Sequence, residues 1–557
     1  MPARSPTSAA RFNPTPTCFS CPESWCATGT PTCSNNVSTR SGPVLALEDR
    51  PDLDTARRAS ADGRRSTPRD REPSLTILQV SAFDRHGGAE RVAWDLFQSY
   101  RSLGHASYFA VGRKRSADPD VLLLPNHEAS SRWQRFWWGL HRGLQPCYGR
   151  FTGSRSLCRL IHRIAEPRGW RDVRRGLEDF HYPGTWRLLD ITPRRPDVIH
   201  CHNLHQNYFD LRALPWLCRQ APVVLTLHDA WLLAGHCAHS FDCERWKTGC
   251  GECPALSLYS PIRRDGSAEN WRRKRDIYAA GRLHVATPCH WLRDRVEQSM
   301  LAPGVVEARV IPYGVDLDVF RPGDHAAARA ALGLPRQARV LLFAASGIRD
   351  NVWKDFRTMR AAIARLAESR GLNAEAQTPA TAGRPLIFVA LGEDAPAERI
   401  GRGAAGAEVR FVPFQADPAA VACHYQAADV YVHAARADTF PNAVLEALAC
   451  GLPVAATAVG GIPEQVIGLD DADENAERAT GMLTAPADEA GLAAAVERLL
   501  INDPLRLRLS DNAAADAHRR FDLRRQTNEY LAWYKELLVR RRPPQRLHER
   551  SCSTTYS

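Results

Sequence analysis

The 557-residue sequence is poor in lysine: Lys114, Lys247, Lys274, Lys354 and Lys535 stand against 68 arginines. Such a bias reads as base composition, so arginine counts alone carry no functional meaning. Cysteine is scarce too, and 16 residues are too few for a disulfide scaffold at this length. The first 40 residues lack the apolar core of a secretory signal. The most apolar window, Ala443 to Ile462, carries only Glu446 as a charge. It is broken by Gly451, Pro453, Gly460 and Gly461, and it reads as a buried helix, a turn and a buried strand. These absences exclude a disulfide-stapled module and a membrane span, and a cytoplasmic enzyme is expected.

What remains is ordinary globular material: 44% hydrophobic, 24% charged and 8% aromatic residues. The length suits two large domains plus tails. The net charge is +11, and residues 113–195 hold 17 Lys and Arg against 8 Asp and Glu, a net +9. Such a patch suits an anionic surface such as phospholipid headgroups or a lipid-linked diphosphate, and equally suits plain solvation.

Residues 1–73 lack periodicity and are rich in Pro, Ser, Thr and Arg, so they read as a disordered leader or as sequence ahead of the true gene start. From Leu75 onward, short apolar runs alternate with helix-length amphipathic stretches. Strands are expected at Leu75–Val80, Ser107–Val111, Val198–His202, Val223–Leu227 and His284–Thr287. A second series is expected at Val340–Ala345, Leu386–Leu391, Val409–Val412, Val430–His433 and Val454–Thr457. This alternation implies α/β architecture with parallel sheets covered on both faces. Phe320–Asp324 reads as a linker. The expected organisation is therefore a domain over 74–318, with a basic aromatic insertion at 113–195 and a cysteine segment at 237–253. A second domain over 319–522, a final helix at 523–541 and a disordered tail at 542–557 follow. Ligands of such sheets bind outside the carboxyl ends of the strands.

The densest signal lies at Asp438-Thr439-Phe440-Pro441-Asn442, followed by a helix holding Glu446 and ending at Gly451 and Pro453. Asp438 and Thr439 occupy cap positions and Pro441 suits a first turn. A helix start offers N–H groups to phosphate or sugar hydroxyls, and a carboxylate further along suits a vicinal diol. The segment resembles the acidic–x7–acidic motif of family 4 retaining glycosyltransferases, which have the GT-B fold of two Rossmann-like, doubly wound domains facing across a cleft. The resemblance implies that Glu446 binds the ribose of a donor nucleotide. It also implies that Asp438, with Phe440, Pro441 and Asn442, faces the donor sugar and phosphates. Asp438 and Thr439 stand where that family has Glu and Gly. Arg349 and Lys354, after the strand at 340–345, match the family's Arg-x4-Lys pair, whose cations meet the leaving diphosphate.

Gly87 and Gly88 resemble the family's first glycine loop, which approaches donor phosphate and acceptor. His228, ending an apolar strand, matches the His near the reacting sugar, and the resemblance implies that His228 and Asp438 are the catalytic residues. His200, His202 and His205 are assigned only to the cleft. Cys289-His290-Trp291-Leu292 and Ile311-Pro312-Tyr313-Gly314-Val315-Asp316 are similar to further family segments, with Cys289 and Tyr313 as departures. The resemblance implies a retaining, metal-independent hexosyltransferase with no cofactor beyond the nucleotide-sugar co-substrate. Its acceptor is expected to be a saccharide or lipid-linked, and its role to lie in surface polysaccharide synthesis. A nucleotide-sugar epimerase and a non-catalytic or zinc-dependent interaction protein of the same fold are the alternatives.

Cys237, Cys243, Cys250 and Cys253 form C-x5-C-x6-C-x2-C, open to zinc, to a redox pair or to free thiols. Similar cysteines mark the family subgroup that builds surface polysaccharides. Trp133, Phe136, Trp137 and Leu140 recur at helical spacing beside arginines, a pattern that suits either core or a peripheral contact at the inner membrane. No nucleic-acid module surrounds them.

Overall fold

A computed structural model describes residues 74–150, 152–372, 384–401, 406–470 and 476–541. The expected leader and tail, with Cys18, Cys21, Cys26 and Cys33, lie outside these residues. The strands of the first half are β1 (Thr76–Phe83), β2 (Ala106–Arg113), β3 (Val121–Leu123), β4 (Val198–Cys201), β5 (Val223–Thr226), β6 (Leu283–Thr287) and β7 (Val305–Val310). They form one sheet in the order β3-β2-β1-β4-β5-β6-β7, and every pairing is parallel. Those of the second half are β8 (Arg339–Ala344), β9 (Leu386–Leu391), β10 (Glu398–Ile400), β11 (Ala407–Val412), β12 (Val430–His433), β13 (Val454–Thr457) and β14 (Gly481–Thr484). Their order is β10-β11-β9-β8-β12-β13-β14, parallel except for β10 against β11.

Both sheets are doubly wound, as the alternation of apolar runs predicts. Their central strands are buried on both faces, β1 along its whole length, which is why those strands read as continuous apolar runs. The strands absent from the sequence-based expectation are β3, β7, β10 and β14, the four sheet edges. An edge is buried on fewer sides, so its sequence need not be apolar: β7 reads VVEARV, with its Glu307 and Arg309 paired at 2.7 Å.

The chain reverses direction across the sheet between β1 and β4 in the first half, and between β8 and β12 in the second. Such switch points open crevices at the carboxyl ends of the strands. The loops leaving β1, β4, β8 and β12 carry Gly87–Gly88, His202–His205, Arg349–Lys354 and Asp438–Asn442.

The helix Leu523–Arg541 lies on the first half. Tyr530 shares a 2.8 Å hydrogen bond with Thr226, Tyr534 one of 2.7 Å with His200 Nδ1, and Trp533 donates to Glu307 at 3.1 Å. His200 is thereby fully buried against this helix.

Candidate active site

β12 ends at His433, and the chain turns through Asp438 before the helix Asn442–Ala449. Pro441, not Asp438 or Thr439, is the helix N-cap, and no side chain caps it. The expected cap is therefore displaced, because the Asp438 carboxylate is engaged elsewhere. Lys354 Nζ donates to Asp438 Oδ2, and His433 Nε2 approaches the same oxygen at 3.2 Å. Burial alone would raise the Asp438 carboxyl, but Lys354 and His433 hold it well below the usual carboxylate range. The His433 ring is itself pushed down, by burial first and by Lys354 second.

Behind Asp438 lies Gly460, in the left-handed region at φ 57, where a Cβ would stand 1.8 Å from the Asp438 carbonyl oxygen. Gly461 N–H donates to Thr439 O at 2.9 Å. This glycine pair sets the turn that presents Asp438.

Arg349 is placed differently from Lys354. Its guanidinium pairs with Glu393, which also accepts from the backbone N–H groups of Ile348 and Arg349 at 2.7 and 2.9 Å. The side chain is about half exposed, and no contact among the described residues joins it to Lys354 or Asp438. The spacing places both cations in one loop; the fold brings only Lys354 to the acidic turn.

Glu446 lies one helix turn beyond Asn442. Tyr425 donates to its Oε2 at 2.9 Å, and burial pushes its carboxyl up to about 7 against the opposing pull of Arg91. Arg91 comes from α1 (Gly88–Ser102), where it pairs with Asp95 at 3.0 Å. Arg91, Asp95, Gly314, Asp316, Asn442 and Glu446 line a crevice between the two halves. Gly88 stands at the mouth: its carbonyl accepts from Asn442 Nδ2 at 3.0 Å, and a Cβ on it would come within 3.5 Å of that nitrogen. Gly87, the N-cap of α1, gives its N–H to Glu90 at 3.1 Å. The first glycine loop and the acidic motif thus meet directly.

His228 follows β5 and is flanked on both ring nitrogens, by Tyr313 Oη at 2.6 Å and by His202 at 3.0 Å. Burial takes it down to about 4. His205 pairs with Asp229 at 2.9 Å. Tyr313 also meets Phe440 edge to face at 5.5 Å, so this tyrosine links the strand-end histidine to the acidic motif. Further contacts cross the cleft. Glu464 accepts from the N–H groups of His290 and Trp291, both at 2.7 Å, and capping the helix His290–Glu297 with a carboxylate favours its positive end. Cys289 Sγ lies 3.6 Å from Thr439 O. Sequence reasoning passed over Arg91, His433, Gly460 and Glu464. Of these only His433 carried a readable signal, a polar residue ending an apolar strand just as His228 does.

The four clustered cysteines are free thiols. Cys250 Sγ accepts from Gly235 N–H at 3.4 Å and Cys253 Sγ lies 3.2 Å from His236 Nε2. Among the described residues no group of three or more His, Cys, Asp or Glu side chains is arranged to hold a metal ion.

The profile of the family described as Glycosyltransferase Family 4 matches residues 86–319, and that described as Glycosyl transferases group 1 matches residues 339–502. The chain is 26% identical over 257 residues to an Escherichia coli protein named as the putative colanic acid biosynthesis glycosyl transferase WcaC, covering 44% of this chain and 55% of that protein. It is 30% identical over 345 residues to a D-inositol 3-phosphate glycosyltransferase of Mycobacterium tuberculosis, covering 61% and 62%. The chain thus spans between half and two thirds of the length of these curated relatives. A sucrose-phosphate synthase of Thermosynechococcus elongatus shares the fold at TM-score 0.50 and 18% identity, over 83% of this chain and 99% of that one. The two profiles fall on the two sheets and between them take in both loops that meet at Asn442 and Gly88; the chain belongs to the family 4, group 1 glycosyltransferases and has the GT-B fold.

Proposed function

We propose that this protein is a retaining, metal-independent glycosyltransferase that moves a hexose from a nucleotide-sugar donor to a saccharide or lipid-linked acceptor in surface polysaccharide synthesis. The observation that carries the reading is the Lys354–Asp438 pair at the switch point of the second sheet, beside an uncapped helix start and facing the first glycine loop. In this reading Glu446 accepts hydrogen bonds from the donor ribose. The diphosphate meets Lys354, the free N–H groups at Asn442 and, once its pairing with Glu393 relaxes, Arg349. Asp438 receives sugar hydroxyls. As the bond from the anomeric carbon to the diphosphate oxygen breaks, Lys354 and the helix start offset the charge left on the diphosphate. The acceptor hydroxyl attacks from the same face and passes its proton to the departing diphosphate oxygen, with Gly87 and Gly88 leaving room for it and His228 shaping the sugar pocket. The polysaccharide role leans on the relative named for colanic acid biosynthesis.

The test is thermal stabilisation by UDP, GDP, ADP and their sugar conjugates, followed by NMR of the product anomer. A ligand at 100 times its dissociation constant stabilises by about 2.7 kcal/mol. No stabilisation by any of them, or a product of inverted configuration, overturns the reading.

The same reading includes docking on an anionic bilayer. No helix among the described residues is long and apolar enough to cross a membrane. The helices α2 (Arg132–Leu144) and α3 (Ser154–Ala165) pack on one another, yet leave Trp133 and Phe136 56% and 66% exposed, with Leu140, Leu157 and Leu160 also outside. Arginines flank these residues, the arrangement of an interfacial helix. Sedimentation with phosphatidylglycerol vesicles, absent with phosphatidylcholine and lost in the double variant Trp133→Ser, Phe136→Ser, is the expected result. Equal pelleting of that variant overturns it.

A further inference from the structure

The cysteine segment reaches the donor side of the cleft through two rings. Phe241, in the left-handed region at φ 47, stacks face to face on Trp353, with centroids 5.4 Å apart and planes 8° from parallel. Arg436 lies 5.8 Å from the Phe241 ring. His239 stacks on Trp291 at 5.7 Å and 10°, and meets Trp353 edge-on at 6.3 Å. Phe241 N–H donates to His239 Nδ1 at 3.0 Å, which fixes the imidazole in place. The turn is shaped by its own thiols, through the Gly235 N–H to Cys250 and the His236 to Cys253 contacts, and by left-handed Cys250, Gly251 and Glu252.

Trp353 is the residue before Lys354. Its carbonyl accepts from the N–H groups of Arg436 and Ala437 at 2.9 and 3.2 Å, and Lys354 bridges to Ala435. The ring of Trp353 is therefore a handle on the backbone that presents Lys354 to Asp438. The handle is held from the opposite half of the molecule, because Phe241 and His239 belong to the segment that follows β5.

We propose that Phe241, supported by His239, is a positioning residue for the donor diphosphate: its stack on Trp353 holds the Lys354 loop in its binding geometry when the two halves are together. The inference rests on the donor site proposed above and assigns the cysteine segment a part in it. Stacked aromatic pairs are worth enough to change an affinity by roughly 3- to 10-fold.

The experiment measures the affinities of UDP, GDP and ADP and the donor KM and kcat. The variants are Phe241→Tyr, Phe241→Leu, Trp353→Leu and the double variant Phe241→Leu, Trp353→Leu, each checked for wild-type circular dichroism. Phe241→Tyr is expected to keep wild-type affinity. Phe241→Leu, apolar but unable to stack, is expected to lose roughly 3- to 10-fold in affinity and KM with a smaller change in kcat. The double variant is expected to lose no more than the worse single one, since the two changes break one contact. Wild-type behaviour of Phe241→Leu, or additive losses in the double variant, overturns the inference while the donor site stands. Failure of the wild-type protein to bind any of the three nucleotides overturns the donor site, and this inference with it.

Discussion

Tyr313 Oη lies 2.6 Å from His228 Nδ1, and His228 Nε2 lies 3.0 Å from His202 Nδ1, whose Nε2 lies 2.8 Å from Gln79 Oε1. With Gln79 accepting through Oε1, donation runs one way through all three contacts: Tyr313 O–H to His228, His228 N–H to His202, and His202 N–H to the amide oxygen. Both rings are then neutral, in accord with burial, which takes His228 down to about 4 and His202 well below its ordinary value. His228 is then a neutral ring with both nitrogens occupied, which under the function proposed above suits it to shape the sugar pocket and not to exchange protons.

Tyr313→Phe tests this chain. The phenyl ring still packs on Phe440, but His228 Nδ1 loses its donor. Leaving a buried acceptor unsatisfied costs about 1–3 kcal/mol. Urea unfolding at pH 8 is expected to show that loss. The loss is expected to be as large at pH 5, since burial holds His228 at about 4 and the ring stays mostly neutral there. A Tyr313→Phe variant as stable as the wild type contradicts donation running from Tyr313 to His228.

Lys354→Ala removes the cation that faces Asp438. Deleting one preorganised donor to a developing anion typically costs about 10²–10³-fold in kcat, and a fall of that order is expected. Lys354→Arg keeps the charge and is expected to lose less. Arg349→Ala is expected to lose less than Lys354→Ala, since Arg349 is held by Glu393 at the surface. Initial rates at saturating donor decide the ranking, and an Arg349→Ala defect larger than that of Lys354→Ala would reverse the assignment.

Glu446 supplies a pH dependence. Its folded-state value of about 7 exceeds the ordinary 4.5, so the folded protein holds the proton more tightly. The stability this contributes is full below about 4.5 and is lost as pH rises toward 7, at most about 1.4 kcal/mol per pH unit. Glu446→Gln, which cannot ionise, is expected to melt higher than wild type at pH 8 and the same at pH 4.5. Donor affinity in the wild type is expected to fall below pH 7 as the carboxylate protonates, and the glutamine variant is expected to bind weakly at every pH. Melting curves at pH 4.5 and 8 and calorimetric titrations at pH 5, 6.5 and 8 check both.

The central strands were legible because burial on both faces forces an unbroken apolar run, as in Val223–Thr226 and Val430–His433. The edge strands were not, since β7 carries Glu307 and Arg309, paired with each other and packed against Trp533 of the final helix. At the site, residues fixed by local chemistry were legible: Asp438 and Glu446 flank a helix start, and Gly87 and Gly88 precede another. Residues whose role depends on a distant partner left no local trace. Arg91 reaches Glu446 only because the two halves face each other. Arg349 sits at the right spacing but is diverted by Glu393, 44 positions on. Tyr313 read as a departure from the family pattern, and only the fold shows it bridging His228 and Phe440.

Gly460 offers the sharpest test of how the acidic turn is built. Its φ of 57 lies where side chains other than glycine are strained, and a Cβ would stand 1.8 Å from the Asp438 carbonyl oxygen, a backbone atom that no rotamer change can move aside. Gly460→Ala must therefore shift the 438–439 backbone or the turn at 459–461. Either shift pulls Asp438 from Lys354 and His433. Strain of this kind costs about 1–3 kcal/mol, while displacing a catalytic group by about 1 Å costs about 10²-fold in rate. The expected outcome is a modest fall in melting temperature with a disproportionate fall in turnover. Gly333→Ala is the control, since Gly333 has a similar φ of 62 but nothing within 4 Å of the added Cβ. It shares the backbone strain without the collision, so it is expected to lose stability and keep its rate. Equal turnover in the two variants would mean that the collision is absorbed without moving Asp438.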